Sequence, residues 1–143
     1  VIGAAGMLAL DLELRFIGKH TLFEGPLAPL MRGLGGIPVN RSQPGVSFVD
    51  EMAERFETEE KLILALAPEG TRRAVSRWKT GFHRIALAAG VPIFAVALDY
   101  GPRRIRFGPL LMPTADLEQD CAPFLEFFAT ARGRRTNSEG ENP

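Results

Sequence analysis

Apolar and polar positions along the chain repeat with helical or strand-like periods, and the periods predict its elements. Val49, Met52, Ala53 and Phe56 recur at i, i+3, i+4 and i+7 with Glu and Arg between them, which predicts an amphipathic helix with one buried stripe. Phe82, Ile85, Ala86 and Ala89 form a similar inner face, with Thr80 placed to cap that helix and Gly90 to end it. Leu117, Cys121, Phe124, Leu125 and Phe128 also fall at helical spacing, and Pro123 is expected to kink or restart their helix. "LELRFIG" (Leu12 to Gly18) and "RRIRF" alternate as strands do, the second half-exposed. "LILALA" and "VPIFAVAL" are short continuous apolar runs, the profile of buried strands, and the first reads as a central strand covered on both faces.

The remaining segments fit around these. "VIGAAGMLAL" reads as a core helix, too short to span a bilayer before Asp11. "TLFEGPLAPLMRGLGG" predicts a short irregular helix, broken by Pro26 and Pro29 and ending at Gly33 to Gly36. "IPVNR" is extended, because Pro38 disfavours helix for the residue before it. Residues 131–143 have nothing to bury and are expected to be a disordered tail. Strands and helices alternate without a linker or repeat, so the predicted fold is α/β: a single domain over 1–130 with a mostly parallel central sheet flanked by helices.

Composition narrows the chemistry. Lys+Arg and Asp+Glu each number 17, so the whole chain has no bias toward polyanions, no nucleic-acid partner is expected, and any anion site must be local. One cysteine excludes an internal disulfide, and with two histidines it makes a structural zinc site a poor fit. A reducing compartment follows, and no metal is expected. Cys121 lies on the stripe of the last helix and reads as core.

"APEGTRRAVSRWKTG" concentrates local charge where "LILALA" ends, with one carboxylate among four cationic side chains. Arg offers planar bidentate hydrogen bonding to phosphate or carboxylate, and Lys a mobile point charge. In parallel sheets ligands gather at loops leaving the carboxyl ends of strands. A solvated basic face with no ligand is the plain alternative. Glu69 suits the task of holding a neighbouring Arg.

"PEGTR" at a strand exit, preceded by "GGIPVNR" and followed by "GVPI", resembles the glycerolipid acyltransferase family, whose members acylate lysophosphatidic acid and related acceptors. The likeness runs from about Leu14 to Asp116 and covers three of the family's four motif blocks. It implies the glycerol-3-phosphate acyltransferase-like fold. It also implies that Glu69, Gly70, Thr71 and Arg72 bind the acceptor's phosphate, with Arg41 as a second contact. Asn40 replaces the acidic residue usual beside that Arg. Lys19 matches a basic position ahead of the second block, and Lys79 with Trp78 fits a subgroup pattern. Val91, Pro92 and Ile93 fall on the acyl-chain or core-packing side.

The resemblance further implies transfer of a fatty acyl group from acyl-CoA or acyl carrier protein to a lysophospholipid acceptor in phospholipid biosynthesis. The acyl donor is a co-substrate and no bound cofactor is implied. The setting expected is cytoplasmic, peripheral to the inner face of a membrane, with "LFEGPLAPLMRGLGG" either meeting the bilayer or belonging to the core. The family takes its general base from His-x-x-x-x-Asp. Here His20 is followed five positions on by Gly25, and His83 by Ala88. The family motif is expected just ahead of Val1, as in a chain cut downstream of its dyad, so these residues alone are expected to be inactive. His83 reads as a structural histidine, as does His20, for which an accessory phosphate contact is the second reading. A non-catalytic phosphate or anionic-lipid binding module is the alternative function.

Overall fold

The computed structural model describes residues 14–39, 47–68, 78–99 and 104–130. The expected N-terminal helix and the tail lie outside them. The fold is α/β, with a parallel three-stranded sheet flanked by helices. By Cα proximity the chain divides into two compact units, Val1–Gly90 and Val91–Pro143.

In the first unit, β1 (Leu14–Lys19) pairs in parallel with β2 (Gly36–Val39) and with β3 (Ile63–Ala65). Between β1 and β2 come a 3-10 turn at His20–Phe23 and α1 (Ala28–Gly33), with a Pro in its first turn, where the missing N–H costs no helix bond. Gly35 follows at φ +85°, and a Cβ there would run into the Leu14 carbonyl oxygen. Glycine is therefore required for the turn into β2.

Helix α2 (Phe48–Thr58) begins at Ser47, whose Oγ accepts a hydrogen bond from the Asp50 N–H at 3.5 Å. Asp50 and Glu51 in its first turn suit the helix dipole. Helix α3 (Gly81–Ala89) ends at Gly90 in the left-handed conformation, as its sequence implies. Thr80 occupies the N-cap position, but its backbone is already helical and its side chain makes no cap bond.

The core of this unit is Ile37, Val39, Met52 and Ile85, with Ile17, Phe48, Val49, Phe56, Leu64 and Leu66 against it. Side chains alternate across a strand, so Ile17, Ile37, Val39 and Leu64 present one face of the sheet to α2 and α3. Met52 at 0% exposure marks the centre of the stripe. The apolar run "LILALA" was expected to be the central strand. Instead β1 is central, and β3 pairs on one side among the described residues. Ile63 is 48% exposed, because the α2–α3 layer covers the opposite face.

In the second unit, β4 (Ile93–Asp99) turns back antiparallel into β5 (Arg104–Leu111), and α4 (Leu117–Ala129) follows. "VPIFAVAL" is therefore a strand, yet not one buried on both faces. Ala95, Ala97 and Asp99 are buried, whereas Phe94 and Val96 are exposed. Helix α4 covers one face only: the Arg106 guanidinium, opposite Ala97, lies 5.1 Å over the Phe127 ring.

Helix α4 runs through Pro123 without restarting. Asp116 caps it, accepting from the Gln119 N–H at 3.0 Å. The buried Asp120 carboxylate accepts from the Thr114 N–H at 2.6 Å and its Oγ1 at 3.0 Å. The inward stripe of the helix accordingly includes Asp120 and Phe124, with Phe127 half-buried beside them. Leu125, expected on the stripe, is 51% exposed, and Cys121 lies at its margin, half-buried.

Candidate functional site

Parallel pairing brings one edge of the first unit's sheet to the foreground. Lys19, the last residue of β1, is in register with Val39, the last residue of β2. Arg41 follows Val39 by two positions in the chain and lies outside the described residues. From Ala65, the chain leaves β3 through Leu66, Ala67 and Pro68 toward Glu69. Glu69, Gly70, Thr71 and Arg72 also lie outside the described residues.

The stem of that loop is described. The Lys79 N–H donates to the Pro68 carbonyl at 2.8 Å, so the segment between them leaves and returns at one point. Half-buried Trp78 meets Phe82 edge-to-face, with centroids 6.1 Å apart. A hydrogen bond and an aromatic pair of this kind each contribute about 1 kcal/mol to holding the stem. The Lys79 side chain is exposed at the stem.

The two histidines occupy different settings. His83 is 4% exposed on α3 and meets Phe82 edge-to-face at 6.4 Å, the burial expected of a structural histidine. His20, in the 3-10 turn directly after Lys19, has Nε2 3.8 Å from Glu24 Oε1. Its carboxylate neighbour is therefore four residues on, a local pairing that differs from the His-x-x-x-x-Asp motif.

Val91, Pro92 and Ile93 belong to the second unit. Ile93 opens β4, half-buried and paired with Leu111, while Val91 and Pro92 precede the strand. The structure thus aligns Lys19 with the end of β2 and puts Lys79 at the stem of the basic loop. Among the described residues, no three His, Cys, Asp or Glu side chains form a group able to hold a metal ion. No described helix is long and apolar enough to cross a membrane.

Sequence reading missed one cluster, in which Arg15, Arg32 and Arg55 line a common cavity. They belong to three different elements, and no motif links them.

Comparison with curated proteins and with solved structures gives no match. The acyltransferase family model matches residues 4–99, more than half of the chain. The matched region includes Lys19, Arg41, the basic loop and Val91 to Ile93, and it ends with the last residue of β4. On that match, the chain belongs to the acyltransferase family.

Proposed function

We propose that this domain serves an O-acyltransferase that moves a fatty acyl group from acyl-CoA or acyl carrier protein to a lysophosphatidic-acid-like acceptor in phospholipid biosynthesis. The acceptor hydroxyl attacks the thioester carbonyl. A C–O bond forms, the C–S bond breaks, and the hydroxyl proton passes through a general base to the departing thiolate. Arg72 and Arg41, with Lys19 and Lys79 beside them, are the groups offered to the acceptor's phosphate, and Glu69 holds an arginine in position. The setting proposed is the cytoplasmic face of a membrane.

The observation that carries this reading is the loop stem. Pro68 and Lys79 close the "EGTRRAVSRWK" segment where the chain leaves a parallel strand, the place where such sheets present ligand sites. Family membership supplies the reaction class.

A second reading rests on a specific observation. Neither His20 nor His83 has an Asp five positions on, and loss of a general base costs on the order of 10²–10⁴-fold in rate. These residues alone would then bind a phosphorylated acceptor or anionic lipid with little turnover.

The test is an acyl-transfer assay with acyl-CoA and acyl carrier protein against lysophosphatidic acid, run on these residues and on a form extended by any segment that the coding DNA specifies ahead of Val1. Turnover that depends on that segment supports the enzyme. Acceptor binding with no turnover in either form supports the binding module. Arg72→Ala is expected to weaken acceptor binding severalfold, and unchanged affinity removes the phosphate assignment.

A further inference from the structure

At the amino ends of the strands, the first unit has a cavity of about 350 Å³ lined by Arg15, Arg32, Gly36, Ile37, Pro38, Arg55 and Glu59. Arg15 is the second residue of β1, Gly36 the first of β2, and Glu59 directly follows α2 ahead of β3. Arg15, Gly36 and Glu59 thus place the cavity beside the edge where the parallel strands begin, with Ile37 and Pro38 extending its wall along β2. The motif residues Arg41 and Glu69 to Arg72 follow the edge where those strands end.

Three guanidinium groups face this space against one carboxylate. Glu59 engages two of them, Arg55 Nη1 at 3.3 Å and Arg15 Nε at 4.0 Å. Behind the cavity, Glu51 Oε1 lies 3.9 Å from Arg55 Nε, too far to bond it, and that buried nitrogen has no hydrogen-bond acceptor. Arg32 has no carboxylate partner among the described residues. Part of this charge answers helix carbonyls, since Arg32 and Arg55 lie in the last turns of α1 and α2. Dipole compensation needs only a basic residue in each last turn. It does not require a third arginine from a strand, nor an open cavity between the three.

We infer that this cavity is a second oxyanion site, taking a phosphate group through Arg15, Arg32 and Arg55, separate from the acceptor site of the basic loop. Guanidinium groups from three elements can surround a tetrahedral oxyanion from several sides, each through paired N–H donors. Glu59 acts as a built-in competitor that keeps Arg15 and Arg55 aligned while the cavity is empty. The phosphate can be carried by a soluble metabolite or by a lipid headgroup. This inference does not depend on acyl transfer.

The experiment titrates the full chain with inorganic phosphate and, separately, with vesicles of phosphatidylcholine containing phosphatidic acid. Wild type is compared with Arg32→Gln, Arg15→Gln, Glu59→Gln and Arg72→Gln, each checked for folding by circular dichroism. Arg32→Gln and Arg15→Gln are each expected to weaken one class of binding on the order of tenfold. Arg72→Gln leaves that class intact, and Glu59→Gln tightens it, a direction that simple destabilisation does not produce. A response confined to vesicles assigns the site to a lipid headgroup, and one shared with inorganic phosphate assigns it to the phosphate itself. If Arg32→Gln folds and alters neither titration, or lowers only thermal stability, the guanidinium groups serve the helix ends and the inference is overturned.

Discussion

In the first unit every described strand runs the same way, so the chain must cross back through a helix before each new pairing. In the second, β4 and β5 pair antiparallel, and one helix covers one face of the ribbon. Three parallel strands send all their carboxyl ends to one edge, so residues far apart in sequence follow those ends to a common place. An antiparallel pair splits its ends between two edges and gathers nothing comparable. The family match includes the whole parallel sheet and stops where β4 stops. The basic loop therefore belongs to the unit whose topology can concentrate it, while Arg106 of β5 serves local contacts. Arg106 lies over Phe127 and 3.9 Å from Asp99.

The sharpest test of this division is to damage each core separately. Phe124→Ala in the second unit is expected to cost about 3–5 kcal/mol and Met52→Ala in the first about 2–5 kcal/mol, both side chains being fully buried. If the units are cooperative bodies of their own, thermal unfolding of each variant loses a different transition. A single transition that shifts alike in both variants breaks the comparison.

Asp120 tests how the second unit secures its helix. Asp120→Ala leaves the Thr114 N–H and hydroxyl without their acceptor, and is expected to cost about 1–3 kcal/mol. Chemical denaturation should show it, with the Asp116 cap unable to substitute.

A matched pair of glycines compares the two sheets directly. A Cβ at Gly36 would come within 2.7 Å of the Phe23 ring and of the Met31 backbone oxygen; at Gly108 it would meet the Phe127 ring at 2.7 Å. Both alanine substitutions overpack, at about 1–3 kcal/mol. Gly36→Ala should cost more, because a backbone oxygen yields less readily than a ring. Equal melting temperatures would contradict that.

The smallest effect concerns Cys121, whose thiol is held above its ordinary value, first by burial and then by the charge of Asp120. Its folded pKa therefore exceeds its unfolded one, and the folded state keeps the proton longer. Stability is full below the unfolded value and declines as pH rises through it toward the folded one. Cys121→Ser should flatten that alkaline slope, and alkylation of the native thiol should lag that of a free cysteine at the same pH.

Much of this architecture was legible in periodicity. The stripe Val49–Met52–Phe56, the stop at Gly90 and the extended run into β1 depend on residues next to one another in the chain. Burial of "LILALA" was not legible, because a continuous apolar run does not say which neighbour pairs with it or whether a second layer covers it. The stripe of α4 was misjudged for a related reason. Asp120 is polar in sequence yet buried in the fold, where Thr114 satisfies it, so a polar residue takes an inward position while the apolar Leu125 is exposed. Of the candidate site, motif order nominated the residues, and the structure supplied the closed stem at Pro68 and Lys79 and the register of Lys19 with Val39.

The sequence by itself determined the elements, the α/β class and the family, because hydrogen-bonded periods and motif spacing are local properties of the chain. Only the tertiary structure decided that β1 is central, that the second sheet is antiparallel, and that Arg15, Arg32 and Arg55 share one cavity. Strand order, layer coverage and the meeting of distant charges depend on long-range pairing and on desolvated contacts, whose partners no local window of sequence contains.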